Sequence, residues 1–229
     1  MRSRARRNDA TGAATTARVT DEMTSTCACA HQEWPKQDAA IAAGIAEKKV
    51  AKALKEGGKK GVEIEGAADM SGLTCFCTRM QEAGDSVELL EVSMEGMNAI
   101  PDPSNEEERK GCSGHISKLI ISSSEETKKI AMVAYVAEQL KDQLNATEWM
   151  KAVCDTDLGG GVGGAPAESS TATWATCQVS EDTANGKYYL KFKDNALSAA
   201  IGYLREKGLF LDDSDSDDDG DNPAADFEW

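Results

Sequence analysis

Residues Ser124–Val153 read SEETKKIAMVAYVAEQLKDQLNATEWMKAV. Within them Ile130, Val133, Ala137, Leu140 and Leu144 recur at intervals of three and four, opposite Lys128, Lys129, Glu138, Lys141 and Asp142 on a helical projection. That is the period of one helix face. The spacing predicts a helix over this whole stretch, the strongest in the chain, with its stripe in a core or against a partner helix.

Further helices are predicted outward from this one. Gln37–Glu56 carries Ile41, Ile45, Val50 and Leu54 near the helical period and meets Gly57-Gly58, a pair that reads as a stop. Asp85 with Glu88 has the spacing of a capping box ahead of Val87, Leu90, Met94 and Met97, with Pro101 beyond. Ser104 with Glu107 repeats it, but Gly111 and Gly114 interrupt the segment.

Downstream, Gly159–Gly164 reads as a flexible joint, because a glycine-rich run holds no single conformation cheaply. Thr171–Val179 and Tyr188–Phe192 are β-branched and aromatic, and Asn185-Gly186 between them is a hairpin turn signal. Asp194 then caps a helix that turns Leu197, Ile201 and Leu204 inward and stops at Gly208.

The expected fold is therefore mainly α: a helical hairpin or bundle, a small β-hairpin near the C-terminal end, and disordered termini. The expected divisions are a basic tail (1–25), a helical domain with the Cys-x-Cys elements (26–158), the glycine joint (159–170), a β-hairpin plus helix (171–211) and an acidic tail (212–229).

The 229 residues carry a formal net charge of −15, and nine acids without a Lys or Arg lie in Asp212–Trp229; without them the charge is −6. Arg2, Arg4, Arg6, Arg7 and Arg18 stand against Asp9 at the other end, a bias that matches a transit peptide or an incomplete gene start. An acidic chain argues against nucleic acid as a partner, since phosphate binding needs Lys and Arg clustered on the folded surface. No run of 18 or more apolar residues is present, and the first residues lack the apolar segment of a secretory leader.

Cys27 with Cys29 and Cys75 with Cys77 form two Cys-x-Cys elements, while Cys112, Cys154 and Cys177 stand alone. In an extended segment residues two apart point the same way. The two pairs suit disulfides between segments, a four-thiolate zinc site, or reduced thiols. Asn145-Ala146-Thr147 is an acceptor triplet for N-glycosylation in a secreted chain.

Asp215, Asp217, Asp219 and Gly220 begin like a calcium loop, with Asp226 at the twelfth position, but Asn222 and Pro223 break the pattern. His31 and His115 are the two histidines, and neither falls in a nucleophile or phosphate-loop motif. The reading is of a non-enzyme without cofactor or metal.

Helices with amphipathic stripes, the elements Cys27/Cys29 and Cys75/Cys77, lone cysteines and the Asn145 triplet together resemble the N-terminal domain of trypanosome variant surface glycoproteins. The resemblance implies a shortened member in which Gln37–Glu56 and Ser124–Val153 form a dimerising stalk and disulfides staple the loops. It also implies a homodimer through helices, presented at the cell surface to host immune proteins, acting in antigenic variation. The alternative is an intracellular helical interaction protein whose acidic tail docks basic partners, with Ser214 and Ser216 set among acids as phosphorylation targets.

Overall fold

The computed structural model describes residues 36–100, 113–155 and 162–210. The Ser104–Gly111 stretch, both predicted tails, residues 159–161 of the glycine joint and the calcium-like loop lie outside the described residues.

Ser124–Val153 is not a helix. Strand βB (Ser117–Ser124) turns back through Glu125–Lys128 into strand βC (Lys129–Tyr135), pairing Ser124 with Lys129 and Lys118 with Tyr135. Lys128 takes the left-handed conformation that closes the loop (φ 54°), and the Ser124 hydroxyl accepts the Thr127 N–H. The physical reason is the run Ile130–Val136, which is apolar at every position. Ile130, Met132 and Ala134 fill one core while Ala131, Val133 and Tyr135 fill another, as in a strand covered on both faces. The helical spacing of Ile130, Val133 and Ala137 is a subset of a continuous run and so carries no information about period. Leu140 and Leu144 are also buried, but on a short turn and a connection rather than on the same helix.

The expectation of a mainly α bundle is thus overturned by a mixed four-stranded sheet at the centre of the molecule. The strands are βA (Cys75–Arg79), βB, βC and βD (Trp174–Ser180), in that order across the sheet. βA runs parallel to βB, and the other neighbours are antiparallel. There is no coiled-coil seam among the described residues, and the sheet occupies the place of the implied stalk.

Helices cover both faces. On one lies α3 (Val87–Asn98), packed on Ile120, Ala131 and Val133, with α1 (Lys36–Ala42) and α2 (Glu47–Ser71) packed in turn against α3. On the other lie α4 (Ala146–Cys154) and α5 (Tyr189–Glu206), packed on Leu119, Ile121, Met132 and Val179. The predicted stop at Gly57-Gly58 fails because α2 runs through both glycines to Gly72, whose left-handed φ of 70° ends it. Gly57 is instead a packing residue: a Cβ there would lie 2.0 Å from the Ser93 carbonyl oxygen, and one on Gly96 would lie 2.4 Å from that of Leu54. The absence of side chains lets α2 and α3 touch backbone to backbone.

The predicted α3 is present, capped by Ser86 rather than Asp85; the Ser86 hydroxyl accepts the Leu89 N–H. βD overlaps the predicted Thr171–Val179, running from Trp174 to Ser180, but the β-hairpin is absent. Its partner is βC, while Asn185-Gly186 forms a tight turn after which Tyr189 already starts α5. Helix α5 ends before Gly208 (φ 69°) as predicted, burying Ala196, Ala200 and Leu204 with Leu197 partly covered. No described helix is long and apolar enough to cross a membrane.

Candidate functional site

The predicted disulfides are absent among the described residues: Cys75, Cys77, Cys154 and Cys177 are free thiols. Cys27, Cys29 and Cys112 lie outside the described residues, and with them the expected approach of residue 27 or 29 to 75 or 77. Cys75 and Cys77 do share a face of βA, the one under α5, as period two requires. Burial pushes the Cys75 thiol up to about 11 and raises Cys77 further, which disfavours the thiolate needed for nucleophilic or metal chemistry. Cys154, at the end of α4, and Cys177, on βD, place their sulfurs 3.5 Å apart, and the hydrogen bond between them, then burial, raises Cys154. No group of three or more His, Cys, Asp and Glu side chains suited to a metal occurs among the described residues.

Asn145 lies at a helix start and not inside the helix predicted over Ser124–Val153. It caps α4, its Oδ1 accepting the N–H groups of Thr147 and Glu148, while Ala146 beside it is fully buried. His31 lies outside the described residues, and His115 sits in the turn before βB.

Two polar clusters were not legible in the sequence. Lys118 is fully buried on βB, its ammonium donating to the carbonyls of Ser113 and Ile116 and standing 5.2 Å from the Tyr135 ring. Nearby, Glu91 on α3 accepts from Lys36 (2.8 Å) and from the Trp174 indole (2.9 Å), which ties α1 and βD to α3. One turn on, burial pushes the Glu95 carboxyl up to about 7, against the lowering effect of the Gln37 N–H it accepts. A carboxyl with a raised folded-state pKa stabilises most below its unfolded value, and that contribution is lost as pH rises through about 7. Glu95→Gln should therefore leave the melting temperature nearly unchanged at low pH and raise it on the alkaline side of neutrality; a melting series in pH checks this.

A cluster of lysines lies on α2. Six lysines fall in the thirteen residues from Lys48 to Lys60. At 100° per residue Lys48, Lys52, Lys55 and Lys59 lie within about 60° of one another. The buried stripe Val50, Ala53, Gly57, Gly61, Ile64 and Ala68 points the opposite way. All four lysines are exposed. Among the described residues Lys48, Lys49, Lys55 and Lys59 make no ion pair, and Lys52 reaches Glu82 only at 3.5 Å. Glu56, the acid inside the run, is turned to the loop after βA, where it accepts the N–H groups of Gln81 and Glu82. Like charges three and four residues apart cost a helix about 0.2–0.5 kcal/mol per pair, and this helix carries three such successive pairs. The signal in the sequence was the 4-3-4 spacing of these lysines.

No protein-family model matches the chain, and no curated protein matches it. Among solved structures, the C-Ala domain of alanyl-tRNA synthetase from Aquifex aeolicus is similar at 20% identity, over 59% of this chain and 90% of that one, with a TM-score of 0.29. That superposition is too loose to establish a shared fold.

Proposed function

We propose that this chain is a non-enzymatic binding domain that holds the phosphate backbone of a nucleic-acid strand along the lysine stripe of α2. It keeps the interaction-protein reading and moves the docking element from the acidic tail to a basic helix. The observation that carries it is the line of Lys48, Lys52, Lys55 and Lys59, exposed and opposite the buried face of α2. The line is about 16 Å long at 1.5 Å per residue. It thus matches about five phosphates at 3.4 Å each along one strand. The overall negative charge does not oppose this, because binding of phosphates depends on the local cluster.

The chemistry of the stripe favours phosphate over the alternatives. Protein–protein interfaces are depleted in lysine and built around aromatic anchors, and α2 contains no aromatic residue. A membrane-surface helix inserts its apolar side, whereas that side of α2 is packed on α3. Lysine ammoniums act here as point charges, which implies binding without base preference.

The test is titration of a labelled mixed-sequence oligonucleotide at several salt concentrations. Affinity should fall with salt at a log–log slope of about three for four contacts. The full chain carrying Lys48→Gln, Lys52→Gln, Lys55→Gln and Lys59→Gln should lose most of both affinity and slope. Since the substitutions relieve repulsion within α2, the variant should melt no lower than the parent. Equal binding by parent and variant, or capture of phosphatidylserine vesicles in preference to the oligonucleotide, would overturn the proposal.

A further inference from the structure

Cys154 and Cys177 stand alone in the sequence, yet the fold brings them into contact. Cys154 is the last residue of α4, Cys177 lies within βD, and their sulfurs are 3.5 Å apart. The segment against the pair is Gly163-Gly164-Ala165. The Gly163 N–H donates to the Cys154 carbonyl, and the Ala165 carbonyl accepts from the Cys177 thiol at 3.2 Å. Gly164 between them has no side chain; a Cβ there would lie 3.6 Å from the Cys177 sulfur and 2.9 Å from the Val179 side chain. Gly163 and Gly164 both have positive φ (79° and 87°), a region that glycine enters and leaves without steric cost. Two thiols in contact also have a chemistry that one alone lacks: when one sulfur is oxidised, the other is in place to displace the product.

We infer that Cys154 and Cys177 are an oxidisable dithiol, reduced in the structure described above and joined by a reversible disulfide when hydrogen peroxide reaches the pair. In the first step the Cys177 thiolate attacks one peroxide oxygen and the O–O bond breaks. The hydroxide released takes up the proton that Cys177 gave, leaving water and a sulfenic acid. In the second step the Cys154 sulfur attacks the Cys177 sulfur, its proton leaves with the sulfenic hydroxyl as a second water, and the S–S bond forms. Two electrons pass from the sulfurs to the peroxide. A disulfide needs its sulfurs about 1.5 Å closer than they stand here, a shift that falls on a helix end and a glycine loop. The order of attack follows from the hydrogen bonds. Because the Cys177 thiol is directed at Ala165, Cys154 is the donor within the pair. That bond is the largest influence on Cys177 and lowers it from its usual value, against burial, while it raises Cys154. Burial raises both Cys75 and Cys77, which makes them internal controls.

The test treats the full chain with hydrogen peroxide in native buffer, stops it with catalase, and unfolds the product in urea with iodoacetamide. Digestion without reductant at Glu168, between the two cysteines, then separates their peptides unless they are bonded. Mass spectrometry should find these peptides joined and two hydrogens lighter than the two thiols, in a yield independent of protein dilution and reversed by dithiothreitol. Cys75 and Cys77 should be recovered as alkylated thiols. The bond ties positions 23 apart, so the oxidised chain should melt about 5–10 °C above the reduced one. Cys154→Ala and Cys177→Ala should each abolish that rise, and the peptide map of the unsubstituted chain stands without them. Persistence of both thiols, separate sulfinic acids at the two positions, joining of either to a different cysteine, or a bond that forms only when peroxide is added in urea overturns the inference.

Discussion

Gly57→Ala should destabilise the protein by about 1–3 kcal/mol although alanine is the better helix former. The added methyl would stand 2.0 Å from the Ser93 carbonyl oxygen, and that oxygen is backbone, so no rotamer change relieves the contact. The α2–α3 pair must separate, which opens the packing of Val92, Met94 and Ala53 around it. Gly96→Ala acts on the same crossing from the other helix, at 2.4 Å from the Leu54 carbonyl oxygen. The double variant should cost less than the two single costs combined, because one separation relieves both clashes. Gly58→Ala is the internal control: its nearest neighbour would be the Gly96 carbonyl oxygen at 3.9 Å, so the helix propensity gain of up to about 1 kcal/mol should appear as stabilisation. Urea denaturation of the four variants checks the sign reversal between adjacent glycines, and stabilisation by Gly57→Ala would show that the crossing is not so close.

Trp149→Ala should have a still larger effect, about 3–5 kcal/mol. Trp149 is fully buried on α4 and its indole N–H donates to the Ala200 carbonyl of α5, joining the two helices that cover this face. Against a total stability typical of such domains, about 5–15 kcal/mol, the loss approaches the whole. Trp149→Phe keeps most of the volume and gives up the hydrogen bond, so its cost should be clearly smaller. Near-ultraviolet circular dichroism with thermal melting separates the two; equal, small costs would mean that α4 and α5 do not depend on this contact.

Legibility in the sequence varied with the kind of signal. Local chemistry was read well where one residue acts on its own backbone, as at the Gly208 end of α5, and missed by one residue at the start of α3, where Ser86 rather than Asp85 is the cap. Strand βD was legible from its β-branched and aromatic residues, but its partner was not, because pairing with βC is a long-range choice. Gly57-Gly58 misled for a related reason: the same absence of a side chain that ends one helix lets another approach its neighbour. The lysines of α2 were visible as letters, yet their meaning depends on direction, and the direction depends on which side α3 covers.

By itself the sequence determined which segments are apolar, where several elements begin and end, and that charge is segregated, because these follow from side chains and their nearest backbone. Only the tertiary structure decided that Ile130–Val136 is a strand. A run apolar at every position can be buried as helix or strand, and what selects the strand is a hydrogen-bonded neighbour on each edge and a helical layer on each face, all supplied by residues distant in the chain.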